Sequence, residues 1–196
     1  YVEGAPITDY CDTHQLSIEE RLKLFCQVAK TVQHAHQSLI IHRDLKPSNI
    51  FVTPSASEAD ADGTVKLMDF GIAKVLDTST RKSFGAPSTQ TGQQLLTPEY
   101  AAPEQVKAEP VSTATDVYAL GILLYELLTG RRPYRLNQRS AYDVVRAVCE
   151  TDPTRPSTAV TEHRDDETPA PDTIGSARRT DAHQLKRRLQ GDLDAI

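Results

Sequence analysis

The chain has 196 residues, 38% of them hydrophobic and 25% charged, with a formal net charge of -5; that is enough apolar length to bury one core and about one domain's worth of chain. The acidic balance, with no polybasic run, excludes the electrostatic footprint of a nucleic-acid binder or of direct contact with an anionic membrane, and no apolar run approaches a bilayer span. Cys11, Cys26 and Cys149 are odd in number, far apart and without a Cys-x-x-Cys pair, which argues against a disulfide framework or a zinc site and points to a reducing, cytoplasmic setting.

The first residues, Tyr1-Val2-Glu3-Gly4, lack the charged and apolar regions of a signal peptide, and without an initiator Met they read as the start of an internal segment. Ser17 and Glu20 then form a capping-box pattern, after which Ile18, Leu22, Phe25, Ala29, Val32 and Leu39 recur at helical steps. A long amphipathic helix ending near Leu39 is predicted. Ile50-Phe51-Val52 and Val65-Lys66-Leu67-Met68 read as two short strands. The polar stretch Thr53 to Gly63 between them reads as a hairpin turn, because Asp60 and Asp62 lack the third acid and the closing Glu of a calcium loop. Residues 115 to 128 are apolar nearly all round, the mark of a helix buried inside a domain, with Gly130 and Pro133 as its stop signals. An amphipathic helix from about Ser140 to Glu150 follows. Residues 151 to 183 are rich in Pro, Thr, Asp and Arg with almost no large apolar groups, and are predicted to be a mobile insert. Helical signal returns at Leu185 to Leu189. The acids Asp165, Asp166 and Glu167 read as a solvated loop, and His34 and His36, two apart on a helix, read as surface residues and not a metal pair.

Three strings carry the chemistry: His42-Arg43-Asp44-Leu45-Lys46-Pro47-Ser48-Asn49, then Asp69-Phe70-Gly71, then Ala102-Pro103-Glu104. Their order and spacing are far more specific than any one alone. Moving a phosphoryl group onto a hydroxyl needs an oriented acceptor, a neutralised phosphate charge and a metal held on the phosphates. On these residues the chain resembles the eukaryotic-like Ser/Thr protein kinases of bacteria, from the inter-lobe hinge through most of the C-terminal lobe. The resemblance implies an α+β, protein-kinase-like fold: a mainly α-helical C-terminal lobe with a short β-hairpin at the catalytic cleft. Residues 1–196 would be a partial kinase domain, with the N-terminal lobe and the final C-lobe helices missing.

The same resemblance implies the residue roles. Asp44 orients the substrate hydroxyl and accepts its proton, Lys46 steadies the transferring phosphate, and Thr97 sits beside the aspartate. Asn49 and Asp69 hold Mg2+, the backbone of Val2 bonds the adenine of ATP, and Phe51 floors the adenine pocket. Asp116 props the catalytic loop through backbone N–H groups, and His42 braces that loop instead of serving as a base. Arg43 before Asp44 implies activation by a phosphorylated loop residue, with Thr89 and Thr91 nearest the family position. Lys46 within Asp-Leu-Lys-Pro is the Ser/Thr form, so the expected partners are ATP and a protein substrate with a Ser or Thr acceptor. The competing reading is a non-catalytic, pseudokinase-like interaction module, against which Asp44, Asn49 and Asp69 all stand intact. With no Gly-rich loop, no strand lysine and no partner glutamate in these residues, the isolated chain is expected to turn over little. An arginine partner for Glu104 is likewise expected outside it.

Overall fold

A computed structural model describes residues 4–54, 63–70, 98–134, 141–162 and 169–196. The expectations on Val2, Thr97, Thr89, Thr91, Asp60, Asp62, Asp165, Asp166 and Glu167 lie outside the described residues.

The chain enters on β1 (Ala5–Pro6), which passes directly into α1 (Ile7–Thr13). Neither element has a strong sequence signal, since both are short. They form because Ile7, Tyr10 and Cys11 are buried and β1 finds a partner edge. β1 pairs with β2 (Ile50–Thr53), which pairs with β3 (Thr64–Leu67), all antiparallel, in the order β1-β2-β3. The predicted hairpin is therefore part of a three-stranded sheet. Period-two alternation decides its faces: Ile50 and Val52 go fully into the core while Phe51 lies half-buried on the other face, opposite Pro6 and Lys66.

Helix α2 (Ile18–Gln37) opens on the predicted capping box, with Ser17 N–H donating to Glu20 Oε2 at 2.7 Å and Glu20 N–H to Ser17 Oγ at 3.3 Å. Its stripe Leu24, Val28 and Val32 is buried against α4 (Thr113–Thr129) and the sheet. Between them a 3₁₀ turn at Pro47–Asn49 leads into β2, and α3 (Pro103–Val106) precedes α4. Each fully buried Leu or Val here contributes about 1.5–3 kcal/mol.

α4 spans both core clusters. Ala119, Leu123 and Leu127 join Ile7, Tyr10, Cys11, Leu24, Leu45, Ile50 and Val52, while Leu128 joins Ile18, Val160, Ile174, Leu185 and Leu189. The helix is not buried all round, since Val117 is 61% exposed. Gly130 ends it in the left-handed region at φ 66°, and a Cβ there would meet the Arg178 guanidinium at 3.2 Å. α5 (Ala141–Glu150) follows as predicted.

The expectation of a mobile insert at 151–183 is corrected. Its described residues include α6 (Pro156–Ala159) and α7 (Pro171–Ser176), and Ala159, Val160 and Ile174 are buried. α8 (Ala182–Leu189) then closes the second cluster. Composition misses this because arginines take the place of apolar mass. Arg178, 2% exposed, donates Nε–H to Leu128 O at 2.6 Å and its Nη groups to Leu127 O at 2.9 Å and Ile174 O at 3.1 Å. Arg21, 1% exposed, reaches Leu127 O, Cys11 O and Ala177 O. The carbonyls that a helix leaves unpaired at its C-terminal end are thus satisfied by side chains from two other segments. Arg131 does the same for Ala159 O, Glu162 O and Pro169 O.

Cys11 belongs to this packing, and burial pushes its thiol up to about 11, which makes it inert at neutral pH. Among the described residues no helix is long and apolar enough to cross a membrane.

Candidate catalytic centre

The site begins where α2 stops. Leu39 takes the left-handed conformation, φ 60°, and Ile40 N–H bonds back to Ala35 O at 2.9 Å while Leu39 N–H bonds to His36 O at 2.9 Å. This is the Schellman stop, with Leu where Gly or Asn is usual. It aims the following strand of chain at α4.

There Asp116, 1% exposed, receives the loop. Its Oδ2 accepts His42 N–H at 2.8 Å and its Oδ1 accepts Arg43 N–H at 2.8 Å. His36 Nε2 lies 2.7 Å from Oδ2. The prop expected of Asp116 is present, and His36 corrects the reading of that residue as mere surface. A buried carboxylate is tolerable only when its lone pairs are met this fully. The anchorage holds Arg43 at φ 67°, a strained position for a side chain of its size.

His42 is itself buried. Its Nε2 lies 2.9 Å from Met68 O, and Asp44 N–H donates to its Nδ1 at 3.3 Å. Only the neutral ring with its proton on Nε2 serves both partners. Burial pushes its pKa below the ordinary 6.5, which matches that tautomer. With both nitrogens engaged, the ring braces the loop and has no free atom for proton transfer. The Phe70 ring packs 4.8 Å from it.

Leu45, 2% exposed, pins the loop to the core between the two polar ends. Beyond it Lys46 Nζ lies 3.2 Å from Asp44 Oδ2. Asn49 Nδ2 donates to Asp44 O at 2.9 Å and to Asp44 Oδ2 at 3.3 Å. Asp44, Lys46 and Asn49 are therefore one hydrogen-bonded unit. Met68 N–H donates to Asn49 O at 2.9 Å, which sets Asp69, exposed at φ 54°, next in line. Because Asn49 spends Nδ2 on Asp44, its Oδ1 is the atom left for a cation. An amide oxygen and a carboxylate are the kinds of hard donor that magnesium prefers.

The third motif docks on the first. Gln105 Nε2 donates to Arg43 O at 2.8 Å and Gln105 Oε1 accepts Ala102 N–H at 3.1 Å. Glu104 Oε1 accepts the Thr115 hydroxyl at 2.5 Å. Just upstream, Tyr100 Oη donates to Glu126 Oε2. Arg132 joins this group through Glu99 at 3.3 Å and Glu126 at 3.9 Å, with its guanidinium carbon 5.4 Å from the Tyr100 ring centroid. Burial raises the pKa of Glu126. A crevice lined by Arg43, Asp44, Leu45, Tyr100, Ala101, Gln105, Thr115, Asp116 and Ala119 joins the catalytic loop to this wall.

His36, Gln105, Tyr100, Glu126 and Arg132 were not legible as site residues. Only Tyr100 and Gln105 carry a sequence signal, through their nearness to Ala102-Pro103-Glu104; the others meet the site by tertiary packing.

Comparison with known proteins agrees with this geometry. The sequence profile of the protein kinase domain matches residues 1–185. The chain is 40% identical over 134 residues to the serine/threonine-protein kinase PknA of Mycobacterium tuberculosis, covering 68% of this chain and 28% of that protein. It is 38% identical over 135 residues to PrkC of Bacillus subtilis, covering 68% and 19%, and 40% identical over 134 residues to Pkn1 of Myxococcus xanthus, covering 68% and 18%. The matched segment thus spans less than a third of the length of these relatives.

Proposed function

The chain belongs to the protein kinase domain family, and from that premise we propose that it carries the catalytic face of a protein kinase that transfers the γ-phosphoryl group of ATP to Ser or Thr hydroxyls. The observation that carries the reading is the hydrogen-bonded unit Asp44, Lys46 and Asn49 on a loop fastened to Asp116. A decayed kinase has no need to keep these polar groups so closely interlocked. PknA, PrkC and Pkn1 are all serine/threonine-protein kinases, which favours the Ser/Thr acceptor, as does Lys46 in its Asp-Leu-Lys-Pro setting.

In this reading Asp44 hydrogen-bonds the acceptor hydroxyl and takes its proton. The hydroxyl oxygen forms the new bond to the γ-phosphorus, and the bond to the bridging oxygen breaks with its electron pair leaving on ADP. Lys46, already beside Asp44, neutralises charge on the transferring group. Asn49 and Asp69 would hold Mg2+, which when bound supplies charge neutralisation on the phosphates. Phe51, half-buried on the free face of β2, would pack under adenine, Val2 would bond it through its backbone, and Thr97 would stand beside Asp44. Arg43 would receive a phosphate on Thr89 or Thr91. Residues 1–196 are then part of a kinase domain whose remaining groups come from elsewhere in the parent protein.

The test is transfer of labelled phosphate from Mg-ATP to a Ser/Thr protein acceptor by the full-length protein and its Asp44→Asn variant. Loss of about a thousandfold or more in the variant supports the reading, on the scale of removing an essential proton acceptor and orienting group. Equal labelling by both would reject it in favour of a non-catalytic module.

A further inference from the structure

Helix α2 sends one polar side chain to the sheet. Gln27 follows the buried Leu24 by three residues and precedes the buried Val28, and its amide makes two bonds to the β3 segment. Its Oε1 accepts Val65 N–H at 3.2 Å and its Nε2–H donates to Gly63 O at 3.3 Å. β3 is the edge of the sheet, and Val65, opposite Val52, turns its N–H away from β2 towards α2. The amide therefore meets that edge as a residue of a further strand would. Gly63 suits the contact: it is buried at φ 70°, and a Cβ there would lie 2.7 Å from Val52 Cγ1, so glycine alone fits this backbone.

What the contact governs lies further along the same strand. Residues 54–63 join β2 to β3, too long a connection to be the two-residue turn that fixes a hairpin register by itself. Beyond Leu67, Met68 N–H is held by Asn49 O and Met68 O by the His42 ring, each at 2.9 Å, and Asp69 comes next at φ 54°. A tilt or slide of β3 is thus passed to the Asp69 carboxylate.

We propose that Gln27 is a positioning residue: its amide closes the outer edge of β3 and so sets where that strand delivers Asp69 to the magnesium ion. The inference rests on the kinase reading above. A merely structural Gln27 would lower stability without altering how strongly Mg2+ assists nucleotide binding.

The experiment measures, on the full-length protein, the affinity for a fluorescent ATP analogue with Mg2+ and with EDTA. The ratio of the two affinities is the readout. In Gln27→Met, which keeps the length of the side chain and its fit to a helix but has no amide, the ratio should fall about tenfold, the scale of disturbing a group that orients a metal ligand. The affinity in EDTA should stay within about twofold. Hydrogen exchange read by mass spectrometry should quicken from Val65 through Met68. Ile18→Ala, in the second core cluster at the far end of α2, should lower the melting temperature yet leave the ratio within about twofold. Should Gln27→Met fail to fold, Gln27→Glu, which keeps the acceptor for Val65 N–H and loses the donor to Gly63 O, should lower the ratio about threefold. An unmoved ratio in a folded Gln27 variant, an equal fall in Ile18→Ala, or faster exchange confined to Val65 would overturn the proposal. A wild type whose affinity is no higher with Mg2+ would instead sink the kinase reading, and this proposal with it.

Discussion

Replacing Asp116 with Asn is the sharpest test of how the catalytic loop is held. The carboxylate accepts His42 N–H at 2.8 Å and His36 Nε2 at 2.7 Å on one oxygen and Arg43 N–H at 2.8 Å on the other. An amide of the same shape offers one acceptor and one NH2 group, so at least one backbone N–H must face another donor. The loss combines a hydrogen bond to a charged group, ~1.5–3 kcal/mol, with an unsatisfied buried donor, ~1–3 kcal/mol. These overlap, so about 3 kcal/mol is expected. At ~2–4 °C per kcal/mol for a chain of this size, the melting temperature falls by about 6–12 °C. Arg43, held at φ 67°, is then free to relax, and a shift of Asp44 by about 1 Å costs on the order of a hundredfold in kcat. KM for ATP should move less, because Asp69, the proposed metal ligand, follows β3 and makes no bond to Asp116. Thermal melts and initial rates on the full-length protein check both numbers. A variant melting within about 2 °C of wild type, with kcat within about threefold, would refute the reasoning.

Four further outcomes are expected. Arg178→Ala removes a donor from the carbonyls of Leu127, Leu128 and Ile174 and should cost ~2–4 kcal/mol, on the scale of leaving buried carbonyls unsatisfied; a urea midpoint implying under about 1 kcal/mol would contradict the capping role. Gln105→Ala cuts the tie between Arg43 O and Ala102 N–H and should lower kcat about tenfold while costing ~1–2 kcal/mol of stability; unchanged kcat would show the third motif does not position the first. Leu39→Asn, at a left-handed residue that is 94% exposed, should stabilise by about 0.5 kcal/mol because Asn tolerates that backbone better and no packing is lost; a lower melting temperature would contradict this. Burial depresses the His42 pKa below 6.5, so the folded state binds fewer protons than the unfolded one, and the stability due to the neutral ring is complete above about 6.5 and lost as pH falls from there through the folded value. The melting gap between wild type and His42→Asn should narrow between about pH 7.5 and 5.5; parallel curves would remove His42 from the linkage.

Local patterns were read well wherever one residue's effect is settled within a few neighbours. The capping box at Ser17 and Glu20, the short strand at Ile50-Phe51-Val52, and the stop at Gly130 each depend on contacts a turn or a strand partner away. The kinase strings were legible for the same reason, since Asp44, Lys46 and Asn49 lie on one short loop. β1 was among the elements that escaped, because a two-residue strand exists only through the edge of β2.

The sequence by itself determined the family, the amphipathic and buried helices, and the order of catalytic side chains along the chain. Only the tertiary structure decided that His36 completes the Asp116 anchor, that Arg132 neutralises Glu99 and Glu126, and that residues 156–159 and 171–176 pack as helices. Those outcomes depend on groups far apart in sequence arriving at one place. Charge and apolar counts along a segment cannot reveal them, because a buried guanidinium scores as solvent-loving until the carbonyls that satisfy it are seen.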